Sequence, residues 1–117
     1  MEYEIRSERP GVIDGRHYSA FATAVRQLKR SGRLDEAIQL LLRLISATEA
    51  ESAAEQCGVA PWYYEQLAII YSKQRRPKDE LDVLLRYEAQ RKAPGIGPAK
   101  LAQRLERVRR ESVSWVP

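Results

Sequence analysis

A short acidic motif occurs twice in this chain, each time at the start of an apolar helical stretch and just after a basic turn. The copies are Asp35-Glu36-Ala37 and, 44 residues on, Asp79-Glu80-Leu81. Each is preceded by another amphipathic stretch, beginning near Phe21 in one case and near Ala60 in the other. A helix–turn–helix unit cannot bury its own apolar face, so units repeated along a chain stack against one another. The echo therefore predicts an array of helical hairpins. Such arrays usually hold partners rather than make or break bonds.

The apolar spacing places the elements. Tyr18, Phe21, Val25 and Leu28 recur at three- and four-residue steps, which predicts a first helix over Tyr18–Ser31 that Gly32 ends. Leu34, Ile38, Leu41, Leu42 and Ile45 make the stripe of a second helix, with Asp35 and Glu36 at the positive end of its dipole. Its Ala- and Glu-rich tail runs to Cys57 with a thin apolar face, so it is expected to project past its neighbours. Pro61 and Pro77 open a third helix to Arg75 and a fourth to Lys92, since proline suits a helix's first turn. After a tight connection at 93–97, Pro98 opens a fifth helix to Arg110, with Leu101, Leu105 and Val108 on one side. This last helix covers the face that the second hairpin would leave wet.

The predicted fold class is all-α: two stacked antiparallel helical hairpins plus a C-terminal capping helix, with an irregular or short-strand N-terminal arm. The arm spans 1–16, with turn signals at Pro10-Gly11 and Asp14-Gly15 and a short strand expected over Glu2–Arg6. The helical domain spans 17–111, and residues 112–117 form a tail without clear periodicity.

At 117 residues there is room for one core, and 44% apolar with 31% charged residues fits a folded chain rather than a disordered one. No apolar run approaches the roughly 18 residues needed to cross a bilayer. The N-terminus lacks the basic-then-apolar order of a signal peptide, so a cytoplasmic location is expected and no membrane partner. Cys57 is the single cysteine, which excludes an internal disulfide framework, and it is expected to be a small packing residue. The charge is uneven. Residues 1–57 carry eight Lys/Arg against nine Asp/Glu, whereas residues 58–117 carry twelve against seven. A basic second half favours acidic partners.

Both hairpins resemble tetratricopeptide repeats over about residues 18–92. Tyr64, Leu67, Ala68 and Tyr71 match the repeat's first-helix pattern, and Phe21, Ala24, Val25 and Leu28 fill the same places more loosely. Gly32 and Ala37 match the turn glycine and the small residue of the second helix. The 44-residue echo exceeds the roughly 34 residues typical of the family, and the second turn, Arg75-Arg76-Pro77, lacks the glycine and reads as one residue longer. The resemblance implies that the first helices of successive hairpins line a concave groove. At the matching positions stand Ala22, Arg26, Lys29 and Arg30 from one helix, and Trp62, Glu65, Ile69, Ser72 and Lys73 from the other. Four of the nine are cationic and one anionic, which suits an acidic peptide. The asparagines with which family members clamp a terminal carboxylate have no counterpart, since the chain contains no Asn.

Three consecutive aromatics, Trp62-Tyr63-Tyr64, span about 200° of a helix, so they cannot all face one core. Tyr63 is expected to be the exposed one and to join the partner surface. Lys100, Arg104 and Arg107 stand along the fifth helix and could track phosphates of a nucleic acid. Little favours catalysis: His17 has no cysteine or paired carboxylate near it by spacing, and Gly95-Ile96-Gly97 lacks the context of a phosphate loop.

The sequence is thus read as a non-enzymatic protein-interaction adaptor. Its groove would comprise Arg26, Lys29, Arg30, Tyr63, Glu65, Ile69 and Lys73, with no catalytic or metal-binding residue and no cofactor. Homodimerisation is expected from exposed aromatics and the Glu2–Arg6 strand. The alternative is a nucleic-acid-binding accessory protein that uses Lys100, Arg104 and Arg107.

Overall fold

Five α-helices follow a short β-hairpin in the computed structural model, which describes residues 9–115. The hairpin pairs β1 (Val12–Ile13) with β2 (Arg16–His17) antiparallel, Val12 opposite His17 and Ile13 opposite Arg16. Asp14 and Gly15 both have positive φ, 49° and 80°. That is the backbone a two-residue hairpin turn demands, and Asp-Gly supplies it. A 3₁₀ turn over Tyr18–Phe21 leads into α1, Ala22–Arg30. Then come α2 (Leu34–Glu55), α3 (Pro61–Lys73), α4 (Pro77–Glu88) and α5 (Gly97–Glu111), and a last 3₁₀ turn, Ser112–Trp115. Each helix packs on the next in sequence, and α3 also meets α5. No helix is long and apolar enough to cross a membrane among the described residues.

The two helix–helix turns are built alike. In the first, Gly32 (φ 73°) follows α1, its amide donates to Lys29 O and that of Arg33 donates to Leu28 O. In the second, Arg75 (φ 56°) takes the same left-handed place, its amide donating to Ser72 O and that of Arg76 to Tyr71 O. The capping pattern continues into both following helices, where the Ala37 amide donates to Arg33 O and the Glu80 amide to Arg76 O. Arg33 pairs with Glu36, and Arg76 with Asp79, across the same three-residue step. The two turns are therefore offset by 43 residues, not the 44 of the acidic echo, and no residue is inserted in the second. Arg75 stands in for the glycine, at the conformational cost of a side chain in left-handed backbone.

The connections at the opposite end are fastened together. Gln56 (φ 55°) closes α2, so that helix ends before Cys57. Beyond it, Val59 donates to Arg91 O at 2.8 Å and accepts from the Ala93 amide at 3.3 Å, a one-residue parallel bridge. Gly58 makes this approach possible: a Cβ there would lie 2.4 Å from Ala93 N. The pairing draws residues 91–93 out of α4, which ends at Glu88 instead of reaching Lys92.

One hydrophobic core runs through all five helices, from Val25 and Leu41 through Tyr64, Leu67 and Ile70 to Leu84, Leu101 and Val108. Ile13 of the hairpin and Tyr18 of the 3₁₀ turn belong to it, because both elements lie against α2. They cover the tail of α2 that sequence alone expected to project. Thr48 and Ser52 there are buried, and Thr48 Oγ1 accepts the Ala60 amide at 3.0 Å. The strand expected over Glu2–Arg6 lies outside the described residues.

Candidate functional site

The first helix of each hairpin and α5 meet side by side on one face, and cations gather there. The Arg26 guanidinium of α1 lies over the Trp62 ring of α3, 5.1 Å from its centroid. One turn on, Lys29 donates to Gln66 Oε1. From α5, Lys100 reaches Glu65 of α3 at 3.2 Å. Glu65 is thus shared by the face and already engaged. Among the described residues, Arg26, Lys29 and Lys73 have no carboxylate within ion-pair distance. The Lys29 ammonium is held below the ordinary lysine range, first by desolvation and then by Lys73, with Glu65 opposing. Two like charges close enough to shift one another are costly unless an anion joins them.

Of the seven groove positions read from sequence, Arg26, Lys29, Glu65 and Lys73 are brought together by this geometry. Ile69 is half-buried beside them on α3. Arg30 is not part of the assembly. It lines a depression with Ala24, Gln27 and Leu28 on the outer side of α1. Tyr63 is a correction. It is 5% exposed, wedged edge-on against both Tyr18 (5.2 Å, 84°) and Trp62 (5.0 Å, 85°). Burial pushes its hydroxyl up to about 12, with Tyr18 adding and Arg26 opposing. The β-hairpin and 3₁₀ turn provide the extra wall that a bare pair of hairpins lacks, so all three consecutive aromatics are at least half covered. Trp62, half-buried beneath Arg26, is the aromatic that the face presents.

The basic row on α5 is not open either. Arg104 donates to Glu80 Oε2 at 2.7 Å and Arg107 to the same oxygen at 3.4 Å, while Arg109 meets Glu88 at 3.2 Å. Glu80, 5% exposed, is the buried carboxylate that organises this seam. A second seam joins three helices. Arg86 of α4 makes a two-pronged pair with Glu49 of α2, both contacts 2.8 Å, and Tyr64 of α3 donates to Glu49 Oε2 at 2.8 Å. The Glu49 bond raises the Arg86 pKa further above its ordinary value, and burial raises that of Tyr64.

His17 does find a carboxylate, 34 residues away in sequence. Its Nε2 is 2.8 Å from Glu51 Oε2, and the Tyr18 hydroxyl donates to Glu51 Oε1 at 3.2 Å. The His17 Nδ1 side meets Ser19, including its amide at the start of the 3₁₀ turn. Both ring nitrogens are thereby occupied, Nε2 in tying β2 to α2 and Nδ1 in capping the 3₁₀ turn. Cys57 is exposed, not packed as sequence suggested. Among the described residues no group of three His, Cys, Asp or Glu side chains is placed to hold a metal ion.

No family model matches the chain, and neither the curated proteins nor the solved structures contain a match.

Proposed function

We propose that this chain is a tetratricopeptide-like adaptor that holds an acidic, extended peptide segment across α1, α3 and α5. The two equivalent turns and their common 43-residue offset support the repeat reading. So does the recurrence of apolar positions in α5: Leu101, Leu105 and Val108 stand 37 residues after Tyr64, Ala68 and Tyr71, and all three are buried. On this reading α5 is the first helix of a third unit.

The observation that carries the partner chemistry is the cluster of Arg26, Lys29 and Lys73, none of which has a carboxylate within ion-pair distance among the described residues. An extended acidic segment would supply the missing anions to Lys29 and Lys73, with Trp62 as an apolar anchor already stiffened by Arg26. The test uses a fluorescent Asp/Glu-rich peptide, its Gln/Ser counterpart and a single-stranded oligonucleotide, titrated at low and moderate salt. The acidic peptide is expected to bind and the neutral one not to. Arg26→Glu with Lys73→Glu should weaken that binding at least about a hundredfold, roughly 1.4 kcal/mol per residue, and leave circular dichroism unchanged. Unaltered binding by the double variant would move the site off this face. Tight, steeply salt-dependent oligonucleotide binding would favour the nucleic-acid reading instead.

A further inference from the structure

Between α1 and the first half of α2, two adjoining shallow depressions that no α3 or α4 residue lines and a third beside them carry the half-buried Leu28 and Leu40. The middle depression has Leu28 and Leu40 as its floor, Asp35 and Glu36 at one end, and Arg43 at the other, with Gln39 between. The opposite end of the helical row contrasts with it. Within α5 the exposed residues are polar or small, among them Ala99, Ala102, Gln103 and Glu106, and the exposed apolar side chains there, Ile96 and Val113, stand singly at its two ends.

From this we infer that the α1–α2 face is a homodimer interface, closed by a second copy of the same chain. The charge order decides the occupant. Glu36 and Arg43 lie two helical turns apart on α2, with Gln39 and Leu40 midway between them. A two-fold axis through that midpoint sets Leu40 against Leu40 and brings each copy's acidic end onto the other's Arg43. Isologous contact needs such self-complementarity, because whatever residue i offers to j must also be offered in return. The pairs that these groups make within the chain, Arg33 with Glu36 and Arg43 with Asp14, are more than half exposed and weakly held, so they can exchange on docking. Asp35 has no ion-pair partner among the described residues. The interface uses the side of α1 that carries Leu28, whereas Arg26 and Lys29 reach Trp62 and Gln66 of α3, so dimerisation and peptide binding are separable.

Sedimentation of the full chain at tens of micromolar is expected to give twice the 13.4 kDa monomer mass. Leu40→Glu should weaken dimerisation at least tenfold. Because that substitution could disturb folding, a charge exchange provides the sharper measurement. Arg43→Glu makes the face wholly acidic at these positions, and Asp35→Lys with Glu36→Lys makes it wholly basic. Each variant alone should be monomeric, and an equimolar mixture should recover the dimer. A wild-type monomer at tens of micromolar overturns the inference, whether residues 1–8 or another protein then cover the face. A dimer that persists in both charge variants overturns it as well, since the copies would then meet elsewhere.

Discussion

Arginine and lysine are treated in opposite ways at the α4–α5 seam and across α1–α3. At the seam, Glu80 is almost wholly buried and two guanidiniums converge on one of its oxygens, at 2.7 and 3.4 Å. Across α1–α3, Lys29 is partly desolvated, bonded to the neutral Gln66 and set near another cation, while the carboxylate that acts on it, Glu65, is already held by Lys100. A buried charge is tolerated where its desolvation is offset by close, geometrically good partners. The seam meets that condition from within the chain. The α1–α3 face does not, and this difference is why the first reads as architecture and the second is proposed as a binding surface.

The largest effect should come from breaking the seam. Glu80→Gln keeps the shape but leaves Arg104 and Arg107 without their anion, which is expected to cost about 2–3 kcal/mol. The figure lies below that of a fully buried pair because both guanidiniums can turn toward water. Urea unfolding measures it, and a loss under about 0.5 kcal/mol would show that the seam is incidental. Glu49→Gln should cost less, about 1–2 kcal/mol. Arg86 and Tyr64 lose a charged acceptor there, yet Arg86 is already one-third exposed. An equal or larger loss at Glu49 would invert the ranking of the two seams.

How much of this was legible beforehand follows from the range of each signal. The helices and both turns were readable, since apolar period, glycine and proline act over a few residues. The Asp14-Gly15 hairpin carried a strong local signal too, but was read only as a turn. What failed depended on distant chain. The ends of α2 and α4 moved because Val59 hydrogen-bonds to residues 91–93, some thirty residues away. Tyr63 was expected to be exposed because helix geometry alone spreads three aromatics over too wide an arc. The covering Tyr18 comes from an element that a pure hairpin array would not have. Lys100, Arg104 and Arg107 looked like a free row because their carboxylates sit on α3 and α4. His17 looked solitary for the same reason. Arg26, Lys29, Glu65 and Lys73 do share one face, because helix periodicity on α1 and α3 acts over a few residues and brings them to the same side.

The smallest expected effect has the opposite sign, and it bears most directly on the contrast between the two regions. Lys29 is a base whose pKa is lowered on folding, so the folded chain releases that proton more readily than the unfolded one. Between its lowered value and the ordinary 10.5, the unfolded chain binds more protons, and stability contributed by this site rises with pH. Below that window the charged ammonium is a constant cost. Lys29→Met should therefore raise stability at neutral pH slightly, by up to about 0.5 kcal/mol, and flatten the rise toward pH 10. An acidic peptide restores the proton affinity of Lys29, so wild-type binding should weaken as pH climbs through the lowered pKa. In Lys29→Met that dependence should diminish, with affinity at neutral pH down about three- to tenfold, roughly 0.7–1.4 kcal/mol. Should Lys29→Met instead destabilise the fold by more than about 1 kcal/mol, its bond to Gln66 would be structural, and the distinction between a satisfied seam and an unsatisfied face would no longer hold at this residue.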